Sequence, residues 1–264
     1  ACRMKMGLHP DFKRRIRDLY GPDGTRWLGS IPRLIRELEQ DWAIRVSDPL
    51  PDLNYNYLAP ARCADGREAF LKLGVPGDEL KREIAALQAF DGRGAAELWA
   101  QDAGRGALLL ARVRPGTDLK GLLEEEAVQA AAGVMVRLHR APPAGGIFPT
   151  VGDWGAGFRR CRQQFAGGAG PLPAALVREA EGVFSDLARS SGEAVLLHGD
   201  LHHENLLADS QGWRAIDPKG VLGEPAYEVG AFLRNPLPEV GDHPDLPRLM
   251  RDRVEAFAAL LALD

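Results

Sequence analysis

One stretch constrains this chain more than any other: Leu197-His198-Gly199-Asp200-Leu201-His202-His203-Glu204-Asn205, followed by Ile216-Asp217-Pro218. An aspartate, an asparagine five residues on and a second aspartate twelve beyond that form a phosphoryl-transfer spacing. Such chemistry needs a carboxylate to orient the attacking hydroxyl and oxygen ligands to hold Mg2+ on the phosphates. Asp200 fits the first role. Asn205 and Asp217 fit the second, because Mg2+ prefers hard oxygen ligands and keeps water and phosphate oxygens in the rest of its shell. The flanking pattern agrees. Ala194-Val195-Leu196-Leu197 is a short apolar run, and Leu206-Leu207 and Trp213-Arg214-Ala215-Ile216 bracket the turn-rich Asp209-Ser210-Gln211-Gly212. That pattern predicts a hairpin. Asp200 and Asn205 then lie on the loop before it and Asp217 at its exit, so the three groups fold back toward one point.

A length of 264 residues holds one large domain or two lobes with a real core. The net charge of −4 gives no basic excess, which argues against a nucleic-acid partner and is compatible with a small cationic acceptor. Three scattered cysteines, Cys2, Cys63 and Cys161, fit a reducing compartment rather than a disulfide framework, and no Cys-x-x-Cys pair offers a zinc site. Basic residues near the N-terminus (Arg3, Lys5, Lys13, Arg14, Arg15) are followed by no apolar run. No signal peptide, transmembrane segment or membrane partner is expected, and a cytoplasmic monomer is.

Residues 8–20 and 30–45 carry helical spacing, with Ser30 as cap of the second helix and Pro32 in its first turn. Leu50–Leu58 and Glu68–Leu73 read as strands around an Ala64-Asp65-Gly66-Arg67 turn. Asp78–Phe90 reads as a helix and Ala107–Leu110 as a buried strand that Arg114-Pro115-Gly116-Thr117 breaks. Glu124–His139, Ala174–Ser190 and Asp245–Leu263 are helical. The expectation is an α+β chain with a sheet-rich N-lobe, residues 1–113, that binds nucleotide. A mainly helical C-lobe, residues 114–264, carries catalysis and the acceptor.

These residues resemble the aminoglycoside phosphotransferases, which have a protein-kinase-like two-lobe fold, and more closely their aminoglycoside/hydroxyurea resistance branch. The doubled histidine of Leu196–Asn205 and the run Ile216-Asp217-Pro218-Lys219-Gly220 carry the likeness. So do Gly223-Glu224-Pro225 and Arg234-Asn235-Pro236, and, more weakly, Phe70-Leu71-Lys72-Leu73, Asp91-Gly92-Arg93-Gly94 and Arg114-Pro115-Gly116. The resemblance implies ATP and Mg2+ as co-substrate and metal. It implies Asp200 as catalytic carboxylate, Asn205 and Asp217 as metal ligands and Lys72 on the α/β-phosphates. Glu83 would hold Lys72, with Glu79 one turn earlier as the alternative. Ala111 and Val113, flanking Arg112, would present backbone to adenine. His202, Glu224, Tyr227 and Glu228 are candidates to face the acceptor. The implied acceptor is an aminoglycoside, streptomycin first, phosphorylated on a hydroxyl. Two departures stand out. No glycine-rich phosphate loop is present, Pro51-Asp52-Leu53-Asn54-Tyr55-Asn56-Tyr57 occupying its place. The family also continues past Leu263-Asp264, so the C-lobe is expected to be shortened.

Blander readings stand beside these. Asp and Asn favour turns wherever they occur, and an exposed helix glutamate such as Glu83 is common. Glu124-Glu125-Glu126 reads as a solvated helix start, Asp118 as a cap, and Trp154 and Phe158 as core. Alternative functions are a kinase for another small hydroxylated compound (hydroxyurea, a peptide antibiotic or a metabolite), a weakly active nucleotide-binding relative, or a hydrolase whose metal sits on His198, His202 and His203.

Overall fold

The computed structural model describes residues 7–263; Cys2, Arg3, Lys5 and Asp264 lie outside the described residues. In chain order come α1 (Pro10–Asp41), β1 (Ile44–Val46), β2 (Tyr57–Cys63), β3 (Glu68–Leu73), α2 (Asp78–Phe90), β4 (Leu98–Asp102), β5 (Ala107–Ala111) and β6 (Pro115–Asp118). Then follow α3 (Glu124–Leu138), α4 (Val151–Trp154), α5 (Ala156–Gln164), α6 (Ala174–Ser190) and β7 (Val195–Leu197). The chain ends with β8 (Leu206–Asp209), β9 (Gly212–Ala215), β10 (Val221–Gly223), α7 (Ala226–Leu233) and α8 (Leu246–Leu261). Contacts gather these into two units, Ala1–Thr117 with Leu207–Ile216, and Asp118–Leu206 with Asp217–Asp264. Among the described residues no helix is long and apolar enough to cross a membrane.

The first unit is built on an antiparallel sheet of order β1-β2-β3-β5-β4. Period-2 alternation turns Ala69, Leu71 and Leu73 of β3 to one face. There they pack with Tyr57 and Ala59 of β2 and with Phe12, Ile16, Ile31, Ile35 and Leu38 of α1. The two helices expected over 8–20 and 30–45 form one span interrupted at Gly21 (φ 56°, ψ −131°). Glycine accepts that positive φ, and Pro22, with φ already fixed for a helix, starts the next segment. Ser30 is therefore no cap; it lies inside the helix and its hydroxyl donates to the Trp27 carbonyl at 2.7 Å.

The strand expected at Leu50–Leu58 begins only at Tyr57, because Pro49, Pro51, Asn54 and Asn56 favour turns over a ladder. Leu50 still docks, donating its N–H to the Leu58 carbonyl at 2.9 Å. Arg114-Pro115-Gly116-Thr117, expected to break a strand, instead leads into β6, which joins β8 and β9 in a three-stranded sheet. The β8–β9 hairpin groups with the first unit, although the expected boundary at 113/114 separated them. Its attachment explains the grouping. Ala215 donates to the Gly94 carbonyl (2.7 Å), Ala96 donates to the Ala215 carbonyl (2.9 Å), and the Arg214 guanidinium reaches the Gly92 carbonyl (2.5 Å).

In the second unit β7 pairs antiparallel with β10, Leu197 opposite Val221. Ala127, Ala131, Val134, Met135 and Leu138 form the buried stripe of α3. Arg253 of α8 is 2% exposed. Its guanidinium forms a bidentate pair with Glu124 (2.6 and 2.9 Å) and donates to the carbonyls of Phe232, Leu233 and Asn235 (3.2, 3.0 and 2.8 Å). One side chain thus fastens α8 to the start of α3 and to the C-terminal end of α7. Glu124, expected as a solvated helix start, is half of this pair. Asp118 does cap, but it caps the 3-10 turn Leu119–Gly121, accepting from the Lys120 N–H.

Candidate active site

In the first unit, alternation along β3 puts Lys72 on the face opposite Leu71 and Leu73. On α2, Glu83 lies three residues after buried Leu80 and so on the same face. The two side chains meet: Lys72 Nζ lies 2.6 Å from Glu83 Oε1, with the residues 3% and 7% exposed. A buried ammonium needs such a partner, since an unpaired charge out of water is strongly disfavoured. Glu79 is exposed. At the end of β5 the Ala111 N–H donates to the Glu97 carbonyl (2.9 Å) and the Arg112 N–H to the Glu68 carbonyl (3.2 Å). Both amides are committed, and Val113 lies beyond the strand. Residues 51–56 are held from α1, whose Arg15 donates to the carbonyls of Leu53 (2.5 Å) and Asn54 (3.4 Å).

In the second unit the loop after β7 is fixed from several sides. The His198 carbonyl accepts from the N–H groups of Lys219 (2.8 Å) and Gly220 (3.2 Å). The His198 and Gly199 N–H groups donate to the two oxygens of Glu228 (2.6 and 2.9 Å). The Asp200 N–H donates to His198 Nδ1 at 3.2 Å. Gly199 has φ 84°, and a Cβ there would meet Val221 at 2.9 Å and Trp154 at 3.1 Å, so glycine is required. Asn205 closes the loop, its amide nitrogen donating to the Asp200 carbonyl at 2.9 Å. That bond uses the amide nitrogen, and the amide oxygen is a hard atom of the kind Mg2+ would take. Asp217 leaves the hairpin with φ 60°, a left-handed conformation that aspartate tolerates better than most residues. A pair of hard oxygen ligands from Asn205 and Asp217 fits Mg2+ carried on phosphates.

Beside Asp200 lies a cavity of about 370 Å³. Trp154 and Tyr227, edge to face at 5.9 Å, form one wall, and Leu233, Phe257 and Leu263 contribute apolar surface. Arg234 also lines it and reaches Asp200 Oδ1 at 3.3 Å. Burial, with Glu228 and Asp200 adding to it and Arg234 opposing, holds the Tyr227 hydroxyl above its ordinary range.

The four residues expected at the acceptor separate. Tyr227 lines the cavity. Glu228 is 1% exposed, and its carboxylate serves the catalytic-loop backbone, because its position on α7 points it inward. Glu224 accepts from the Gly192 N–H at 3.2 Å, and His202 caps the 3-10 turn His203–Asn205 through Glu204. Neither lines the cavity. The sequence reading missed Arg234 as a neighbour of Asp200, although Arg234-Asn235-Pro236 was its signal, and it took Trp154 for core. The histidines diverge: His198 binds the Asp200 amide, whereas His203 is buried and stacked 4.1 Å from the Phe232 ring. Among the described residues no group of three or more His, Cys, Asp or Glu side chains could hold a metal.

Burial pushes the Glu228 carboxyl up to about 7, against the loop amides that favour its ionised form. His139 Nε2 stands 4.0 Å from Glu228 Oε2, and burial pushes its imidazole down to about 4. A carboxyl raised in the folded state contributes stability that is full below its unfolded value of 4.5 and lost as pH rises through about 7. The histidine contribution runs the other way and is lost as pH falls from 6.5 through about 4. Glu228→Gln isolates the first effect. In urea unfolding, the stability difference between wild type and variant should shrink by about 2–3 kcal/mol between pH 4.5 and 7.5. A constant difference would mean that Glu228 is ionised throughout.

The family model for aminoglycoside/hydroxyurea antibiotic resistance kinases matches residues 42–264. The chain belongs to this family. A hydroxyurea phosphotransferase of Kitasatospora aureofaciens is 35% identical over 220 residues, 81% of this chain and 64% of that protein, so the chain spans under two thirds of that relative's length. A streptomycin 6-kinase of Streptomyces glaucescens is 26% identical over 247 residues, 93% and 80% of the two chains. Among solved structures, choline kinase LicA from Streptococcus pneumoniae aligns with a TM-score of 0.60 at 13% identity, covering 88% of this chain and 80% of that one. An aminoglycoside phosphotransferase bound to ADP and hygromycin B gives 0.58 at 17%, covering 88% and 89%. The fold of this resistance-kinase family member is therefore α+β and protein-kinase-like, as expected.

Proposed function

We propose that this chain is an ATP- and Mg2+-dependent O-phosphotransferase that inactivates a small antibiotic by phosphorylating a hydroxyl group. The observation that carries the reading is the pinned loop that places Asp200 beside a cavity and ties Asn205 to its backbone. Asp200 would accept the hydrogen bond of the acceptor hydroxyl and take its proton as the oxygen attacks. Lys72, held by Glu83, would bind the α/β-phosphates of the nucleotide, and adenine would meet the backbone at Ala111 through its carbonyl, its N–H being taken by Glu97, and at Val113. Asn205 and Asp217 would hold Mg2+, which when bound neutralises phosphate charge. Added phosphate brings roughly two negative charges at neutral pH, enough to spoil recognition of a drug by an anionic target such as RNA. The names of the relatives support two acceptors, streptomycin and hydroxyurea.

Mass spectrometry of each compound after incubation with the protein, ATP and Mg2+ tests the reading. A phosphate-sized gain on either one is expected. Unchanged masses, with ATP still binding and stabilising the fold, would point instead to a nucleotide-binding relative without this activity.

A further inference from the structure

The Asn205 side chain has a second neighbour besides the Asp200 carbonyl. Its amide nitrogen lies 2.9 Å from that carbonyl and 3.2 Å from His202 Nε2. An amide nitrogen carries two hydrogens, one for each contact. The contact with Asp200 decides which end of the amide is the nitrogen, because an amide oxygen set against the carbonyl oxygen would be repelled. His202 Nε2 then has to accept, which puts the ring proton on Nδ1. Nδ1 faces the Glu204 N–H at 3.4 Å, the longer of the two ring contacts. A neutral imidazole has one acceptor nitrogen, so the cap on Glu204 and the bond from Asn205 belong to different tautomers. The turn has other holds than the cap. The Asn205 N–H closes it on the His202 carbonyl at 3.0 Å, and Lys120 Nζ holds Glu204 Oε1 at 2.7 Å.

We propose that His202 is a positioning residue for Asn205: its Nε2 takes the second amide hydrogen and so fixes the setting of the oxygen that would ligate Mg2+. The proposal rests on reading Asn205 as a metal ligand and deepens that reading by naming what orients it. A single hydrogen bond lets an amide pivot, whereas two hold its plane. Groups that orient a ligand without touching the metal commonly account for about 10–100-fold in metal affinity. The doubled histidine then has two separate jobs, His202 bracing Asn205 and His203 stacking on Phe232.

The test needs no turnover. The affinity for the non-hydrolysable nucleotide AMP-PNP is measured with Mg2+ and with EDTA, and the ratio reports how well the metal is held. Wild type is compared with His202→Ala, His202→Asn, His202→Gln and Asn205→Ala, and melting temperatures are taken alongside. The asparagine oxygen replaces Nδ1 and keeps the cap on Glu204, but it stops short of Asn205. The glutamine oxygen replaces Nε2 and keeps the bond from Asn205 without the cap. The Mg2+ ratio should fall by roughly tenfold or more in His202→Ala and His202→Asn, and His202→Gln should recover most of it. Metal-free affinity should stay near that of wild type in all three. Recovery by asparagine instead of glutamine would make His202 a cap only and overturn the proposal. So would a wild-type ratio in His202→Ala while Asn205→Ala loses it. The underlying reading fails by a different result. If Asn205→Ala kept the wild-type ratio, or wild type itself bound nucleotide equally well without Mg2+, Asn205 would not be a metal ligand, and the role of His202 would fall with it.

Discussion

Asp200→Asn is expected to lower turnover by roughly 10²–10⁴-fold while leaving nucleotide affinity within about a factor of two. The separation follows from what the side chain touches. The Asn205 amide bonds the backbone carbonyl of residue 200, not its carboxylate, so the substitution leaves the proposed metal ligand in place. The residue 200 N–H still donates to His198, and the loop stays on Glu228. What disappears is the proton acceptor and the charge that pairs with Arg234. Single-turnover kinetics beside nucleotide titration would show this as a loss in the chemical step alone. A variant with wild-type turnover would remove Asp200 from the mechanism, and one that lost nucleotide binding equally would make its role structural.

Arg253→Ala is expected to destabilise the fold by about 3–5 kcal/mol. Truncation leaves the carbonyls of Phe232, Leu233 and Asn235 without their donor in a buried setting and strands Glu124. It also removes the cation lying 5.1 Å over the Phe232 ring. Lysine restores the charge but not the planar fork that bonds a carboxylate and carbonyls together, so Arg253→Lys should recover only a minor part. Glu124→Gln should cost less than either, because the Glu124 side chain is 46% exposed and water replaces part of what it loses. Urea unfolding of the three variants gives the order. A loss below about 1 kcal/mol for Arg253→Ala would mean that water takes over its hydrogen bonds.

The hairpin between Asn205 and Asp217 was legible because its apolar pairs and its Asp-Ser-Gln-Gly turn are local signals. The Lys72–Glu83 pair was legible for a related reason: strand alternation and the α2 stripe each fix a face from the sequence alone. Glu228 was not, because nothing local distinguishes a helix glutamate aimed at backbone amides from one aimed at a ligand. That difference lies in the packing of α7 against a loop 30 residues away. Arg253 was hidden in the same way, looking like one more charge on a terminal amphipathic helix. The late start of β2 and the interior position of Ser30 record a different failure. There local signals were passed over: the turn-favouring Pro51, Asn54 and Asn56 in one case, and in the other the Gly21-Pro22 break, at which the second helical segment already begins.

The fixation of residues 198–200 also bears on how such an enzyme can diversify. His198 uses its backbone N–H, its carbonyl and its ring nitrogen, and Gly199 has no room for a single carbon. An insertion or substitution there would break several bonds at once, so inherited change at this segment should be purged. Leu233, Val254 and Ala258, which line the neighbouring cavity, lie on helices and make no hydrogen bond to that loop through their side chains. Drift can therefore accumulate on those walls, reshaping what is admitted while the chemistry stays as it was.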